Sequence, residues 1–224
     1  MLEPGSTFKR NQAEEALWRY LSRDHVGRMP PPVFRTRIKR LLEIDRAEGT
    51  KNERAMAFAD TAPEGRGHEV RFTEFDVFCL GVGLLTLNAG FKQAEVVMLL
   101  QYIRDFLKDI WANIQDSPPV PRQRPLPTDR PNAPTYKYEG VEYADTGVYL
   151  IVNSVELKEI YPTQDPRKLM IFSPKVCYGA DLLGQELRNT ALSFPATFVL
   201  ELSLMAIRVQ RFLGEAEPRL RGPN

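Results

Sequence analysis

The residues best placed to do chemistry are cations. Arg35-Thr-Arg-Ile-Lys-Arg40 puts four positive charges into six residues. They fall inside a helical pattern, Val33 to Arg46, in which Phe34, Ile38, Leu41 and Leu42 recur at i, i+4, i+7 and i+8. Such a stripe docks on a core and leaves Arg35, Arg37, Lys39 and Arg40 free for phosphates. Each neutralised phosphate then releases condensed counterions. The bulk charge of the chain is only +1, so an anionic partner must be held by a local patch. The charge is unevenly spread, with a net +3 over residues 1–71 against −3 over 72–118.

Residue types for other chemistry are sparse. There are two histidines, His25 and His68, and two cysteines, Cys79 and Cys177, with none of them at ligand spacing from another. GxSxG, P-loop, HExxH and complete GxGxxG patterns are absent, and Gly81-Val-Gly83 lies within a capped helical run. Glu14 and Glu15 are adjacent, but neighbours on a helix point about 100° apart and do not form an acid/base pair. The expectation is no enzyme, no metal, no cofactor and no disulfide framework. The N-terminus has no continuous apolar stretch of the signal-peptide kind, and Phe75 to Ala89 is too short and too polar to span a bilayer. A cytoplasmic protein without a membrane partner is expected.

The elements that must position these residues follow from punctuation. Asp116 to Pro134 holds seven of the 18 prolines. Proline removes the backbone donor and favours extended chain, so this is a semi-rigid linker. It divides the chain into domains 1–115 and 135–224, with the linker over 116–134. Asn11-Gln-Ala-Glu14 reads as a capping box opening a short helix through Leu21. Residues 49–71 read as a loop with two short strands. Thr73-Glu-Phe-Asp76 caps a helix with one apolar face through Phe75, Phe78, Cys79, Val82, Leu85 and Ala89, closed at Asn88-Ala-Gly90. Gly81 and Gly83 within it suggest a second backbone packed close by. Thr86 is placed to bond back to the carbonyl of Val82. A further helix runs to Ile114, with Val96, Leu100, Ile103, Leu107, Ile110 and Ile114 spaced as an a/d seam. That seam fits either a core helix or a dimer interface, and the apolar residues beside it favour the dimer.

The second half is mixed. Gly147 to Asn153 reads as a buried strand continuing towards Tyr161, and Leu169 to Phe172 as another. From Pro195, the spacing of Phe198, Leu202, Met205, Ala206, Val209, Phe212 and Leu213 predicts a helix. The fold class is therefore α+β, with a mostly helical N-terminal domain and a small mixed α/β C-terminal domain.

Four segments stand in a suggestive order: Gly65-Arg-Gly-His-Glu-Val-Arg-Phe-Thr73, Glu-Phe-Asp76-Val-Phe-Cys-Leu80, Asn88-Ala-Gly-Phe91 and Glu95-Val-Val-Met-Leu-Leu100. They resemble the wing and following helices of MerR-type winged helix-turn-helix regulators. The resemblance covers residues 66–100 and extends weakly to Arg35–Leu42. An arm of about 30 residues precedes the region, and the Gly-Leu-x-Pro step into the wing is missing. The resemblance implies a winged-helix DNA-binding domain acting as a homodimer on double-stranded DNA. Arg66 and Arg71 then join Arg35, Arg37, Lys39 and Arg40 as contacts, and the seam serves dimerisation. Residues 135–224 would bind an effector, either a small molecule or a protein. The alternative is a non-enzymatic interaction or assembly protein whose basic helix is solvated surface.

Overall fold

The computed structural model describes residues 6–22, 29–52, 56–59, 70–116, 135–138, 141–144, 147–154, 174–190 and 196–218. Six helices and seven strands occur among them, in an α+β arrangement of two compact units. The first gathers Met1–Ala112 and Met205–Asn224, and the second Asn113–Leu204. The last helix thus belongs with the N-terminal unit, whereas the Pro-rich linker places all of 135–224 in one domain. No helix among the described residues is long and apolar enough to cross a membrane.

The first unit begins with β1 (Phe8–Lys9) and α1 (Arg10–Leu21). The helix opens one residue before Asn11. Gln12 accepts from the Lys9 amide at 3.0 Å, the reciprocal half of a capping box. Glu14 does not cap; it pairs with Arg10 at 2.7 Å. α2 (Pro32–Asn52) starts on a proline, whose missing N–H costs nothing in a first turn. It runs six residues beyond Arg46, into what reads from sequence as loop. Phe34, Ile38, Leu41 and Asp45 form its buried edge. β2 (Arg71–Phe72) pairs antiparallel with β1, Phe8 opposite Phe72 and Lys9 opposite Arg71.

Helix α3 (Glu74–Asn88) opens as its sequence dictates. Thr73 Oγ1 accepts from the Asp76 amide at 3.1 Å, and Asp76 Oδ2 accepts from the Thr73 amide at 2.8 Å. Thr86 Oγ1 donates to the Val82 carbonyl at 2.8 Å, and Gly90 ends the helix with φ 99°. The single apolar face is a correction, however. Val77, Leu80 and Leu84 are as buried as Phe78 and Val82, while Leu85 is half-buried and Ala89 exposed. α3 is the central rod of the unit and is wrapped on nearly all sides.

The close approach at its glycines is made by side chains, not by a second backbone. A Cβ at Gly81 would lie 2.5 Å from Met205 Cε and 2.9 Å from Leu17 Cδ2. At Gly83 it would lie 3.0 Å from Leu100 Cδ1 and 3.1 Å from the Phe58 ring. Alanine gains about 1 kcal/mol of helix propensity at either position. Met205 and Leu17 can swing their terminal carbons aside, but the Phe58 ring cannot. Gly81→Ala should therefore be close to neutral, and Gly83→Ala should lose about 1–2 kcal/mol. Urea midpoints at constant slope measure the difference, and equal midpoints would contradict this packing.

Helix α4 (Gln93–Asp116) carries the seam. Val96, Leu100, Ile103, Leu107, Ile110 and Ile114 are 0–2% exposed within one chain. This corrects their reading as a dimerisation surface: the stripe is already filled by the chain's own packing. Val97 and Leu99 are buried as well, and Trp111 lies 5.0 Å, ring to ring, from Phe78. What α4 turns outward is Tyr102, 76% exposed, and Phe106, 39% exposed.

The second unit holds a hairpin and a three-stranded sheet. β3 (Thr135–Tyr138) pairs antiparallel with β4 (Val141–Ala144). β5 (Val148–Ser154) is central, flanked by β6 (Lys175–Tyr178) and β7 (Ala196–Glu201), both antiparallel to it. Leu150, Ile151 and Val152 are all fully buried, as expected of a strand covered on both faces. α5 (Ala180–Thr190) follows β6. The expected extension to Tyr161 and the strand at Leu169–Phe172 lie outside the described residues.

The helix expected from Pro195 is half strand. Ala196–Glu201 forms β7, and only from Ser203 does α6 (Ser203–Glu215) begin. Phe198 and Leu202, four residues apart, satisfy either period, and the pairing along β5 decides for the strand. The switch is held by Glu201, whose carboxylate accepts from the Ser203 and Leu204 amides at 3.0 Å each. α6 then packs on α1: Gln12 Nε2 donates to the Ala216 carbonyl at 2.8 Å, and Arg19 pairs with Glu215 and stacks over Phe212.

Candidate nucleic-acid interface

α2 separates its residues cleanly. Phe34, Ile38 and Leu41 are buried, while Arg35, Arg37, Lys39, Arg40 and Arg46 are exposed. At 100° per residue the cations divide into two rows along the helix. Arg35, Lys39 and Arg46 lie on one edge, Arg37 and Arg40 on the other. Between the rows run Thr36, Glu43 and Ala47, all exposed. Lys39 approaches Glu43 at 3.6 Å with both side chains in solvent, an ion pair of little energetic weight. Thr36 Oγ1 donates back to the Pro32 carbonyl at 2.9 Å, within the first turn.

Arg71 belongs to the same neighbourhood. It is exposed on β2 opposite Lys9, and the next residue, Arg10, donates to the Arg35 carbonyl at 3.2 Å. A path of cations therefore leads from the β1–β2 ladder to the first turn of α2. Lys9 and Arg10 stand side by side in the sequence, but nothing local ties them to a cluster 25 residues further on. Arg66 lies outside the described residues.

The second row faces an open groove of about 630 Å³ between the start of α2, the end of α3 and the start of α4. Arg37 donates to Asn88 Oδ1 at 3.3 Å across it. Arg40 also lines it, and no carboxylate does so among the described residues.

The placement of α2 depends on a buried polar network. Asp45 accepts from the Ala57 amide at 2.8 Å, the Phe58 amide at 3.1 Å and Gln101 Nε2 at 3.0 Å. Arg104 on α4 donates to the Ala57 carbonyl at 2.7 Å and to Asp76 Oδ1 at 2.5 Å, and its guanidinium lies over the Phe75 ring at 4.9 Å. Residues 57–58 have no helix or strand to satisfy their backbone, so these side chains do it. Burial pushes the Asp45 carboxyl above the usual carboxylate range, against the lowering effect of its hydrogen bonds to Ala57, Gln101 and Phe58 and of the Arg104 charge. No group of three or more His, Cys, Asp or Glu residues placed to hold a metal occurs among the described residues. No protein-family model matches this sequence, and no curated protein matches it either.

Proposed function

We propose that this chain is a DNA-binding regulator that lays the exposed face of α2 in the major groove of duplex DNA. The observation that supports this reading is the double row of cations on a helix whose opposite edge is anchored in the core. A groove about 12 Å wide admits one helix, and its walls are phosphates of the two strands. Arg35, Lys39 and Arg46 would face one strand, Arg37 and Arg40 the other. Thr36 and Glu43 would then meet base edges, where a carboxylate can accept from the cytosine amino group. Arg71, Lys9 and Arg10 extend the phosphate contacts beyond the helix. The resemblance to MerR-type regulators points the same way, and a homodimer on a two-fold operator is part of this proposal. Because the seam of α4 is filled, its outward residues Tyr102 and Phe106 are the surface left for pairing.

The test is titration of the full chain with duplex DNA at several salt concentrations. Four substitutions, Arg35→Gln, Arg37→Gln, Lys39→Gln and Arg40→Gln, should together weaken binding at least about tenfold. They should also flatten the salt slope by close to one unit for each phosphate that is no longer neutralised. All four positions are exposed, so the melting curve should stay near that of the wild type. Unchanged DNA affinity in the folded variant would refute the proposed surface. A protein-interaction role is the second reading, favoured by the exposed aromatic pair on α4. Tyr102→Ala with Phe106→Ala should leave the DNA titration of single sites unchanged.

A further inference from the structure

We propose that the groove between α2, α3 and α4 binds a small organic anion, a carboxylate or phosphate monoester carried on an apolar body. The charge is held by Arg37 and Arg40. These residues stand at i, i+3 and so share one edge of α2. Arg37 spends one N–H on Asn88 and is steered by it across the opening, with its remaining donors free to fork around an anion. Arg40 makes no ion pair among the described residues, none of the described residues lining the groove is a carboxylate, and Glu43, three residues beyond Arg40, approaches Lys39 instead at 3.6 Å.

Two further features suit an anion. The first residue of α2, Pro32, lines the groove, so the N-terminus of this 21-residue helix contributes its positive end, whereas that of α4 is already met by Glu95, which accepts from the Lys92 amide at 2.9 Å. The opposing end, the C-terminus of α3, is muted: Ala89 donates to the Leu85 carbonyl and Gly90 to that of Leu87, each at 3.1 Å. An apolar body is required by the rest of the wall. Val33 is 67% exposed and Leu87 half-buried, both facing this space. The volume of about 630 Å³ falls within the roughly 300–1,000 Å³ of small-molecule sites. A bare inorganic ion would leave most of it to water.

The regulatory consequence rests on the DNA-binding reading, whereas the site itself does not. Arg37 and Arg40 cannot serve a bound anion and a DNA strand together, so occupancy of the groove should release DNA.

Octanoate and phenyl phosphate serve as probes, with inorganic phosphate as the anion lacking a body, each titrated calorimetrically into the full chain. Saturable binding of an organic probe near 1 mM or tighter is expected, with inorganic phosphate at least about tenfold weaker. Arg37→Gln with Arg40→Gln should abolish it, Val33→Ser should weaken it severalfold, and Arg46→Gln should leave it unchanged. Arg46→Gln should nonetheless weaken DNA binding, which separates the two surfaces. Failure of every organic probe to saturate by 10 mM (about ten times that dissociation constant), equal binding of inorganic phosphate, or indifference to the double substitution would each overturn the site. Probe binding in a chain that does not bind DNA would uphold the site and refute the regulator.

Discussion

Arg104→Met should destabilise the folded chain by about 3–5 kcal/mol, the cost of leaving a buried charge without its partner. Arg104 and Asp76 are both nearly inaccessible, and their contact at 2.5 Å joins α4 to the first turn of α3. Removing the guanidinium also strips the Ala57 carbonyl of the donor at 2.7 Å and the Phe75 ring of its cation. Methionine fills comparable space, so the loss reads out charge and hydrogen bonding more than volume. Arg104→Lys gives a graded control. A lysine ammonium keeps the charge but cannot fork to Asp76 and Ala57 in the fixed geometry of the guanidinium, so an intermediate loss is expected. Against a typical total of about 5–15 kcal/mol, the methionine variant should unfold at a much lower urea concentration. A midpoint within error of the wild type would show that the pair is energetically idle.

Parts of this fold are legible because local chemistry settles them. Thr73 and Asp76 can form a capping box with no help from the rest of the chain, Gly90 can adopt the left-handed conformation, and Thr86 can find its own helix carbonyl. Each of these occurs as the residue types dictate. The seam of α4 is equally legible as a stripe, yet periodicity reports that a face is buried and not what buries it. Val96 to Ile114 are covered within one chain, a matter of tertiary packing that spacing does not encode. The run at 196–201 misleads for a related reason. Phe198 and Leu202 fit both periods, and only the neighbouring strand β5 chooses between them. The small helix α5 and strand β6 leave little trace in the sequence, being short and, in α5, scarcely buried.

The basic face of α2 is readable because Phe34, Ile38 and Leu41 announce the opposite edge. Its continuation is marked by an oddity in the same stripe. Asp45 occupies the next position, i+11 from Phe34, where an acid has no place unless donors await it. The donors come from Ala57 and Phe58 and from Gln101, 56 residues away, so the sequence shows the anomaly without its resolution. The groove at Asn88 and Gln93 leaves no such trace, since it exists only where three helix ends meet.

Asp45→Ala should accordingly be among the most damaging single substitutions in the chain. It orphans two backbone amides and the Gln101 side chain, and each buried donor left unsatisfied costs about 1–3 kcal/mol. The cavity left by a carboxylate is small, and alanine supplies no acceptor in its place. A total near 3 kcal/mol or more is expected in urea unfolding. The pH dependence gives the prediction a second, independent readout. Burial raises the carboxyl above its ordinary value of 3.8 in the folded state. A raised folded pKa means that the folded chain holds the proton more tightly than the unfolded one. The stabilisation linked to that proton is complete below 3.8 and is lost as pH rises through the raised value. The wild type should therefore shed stability across that window relative to Asp45→Ala, and the gap between them should be widest on the acid side. The amides of Ala57 and Phe58 should exchange with deuterium much faster in the variant, because the bonds that protect them end on this one carboxylate. A pH-independent gap, with both amides still protected, would mean that Asp45 does not anchor this segment.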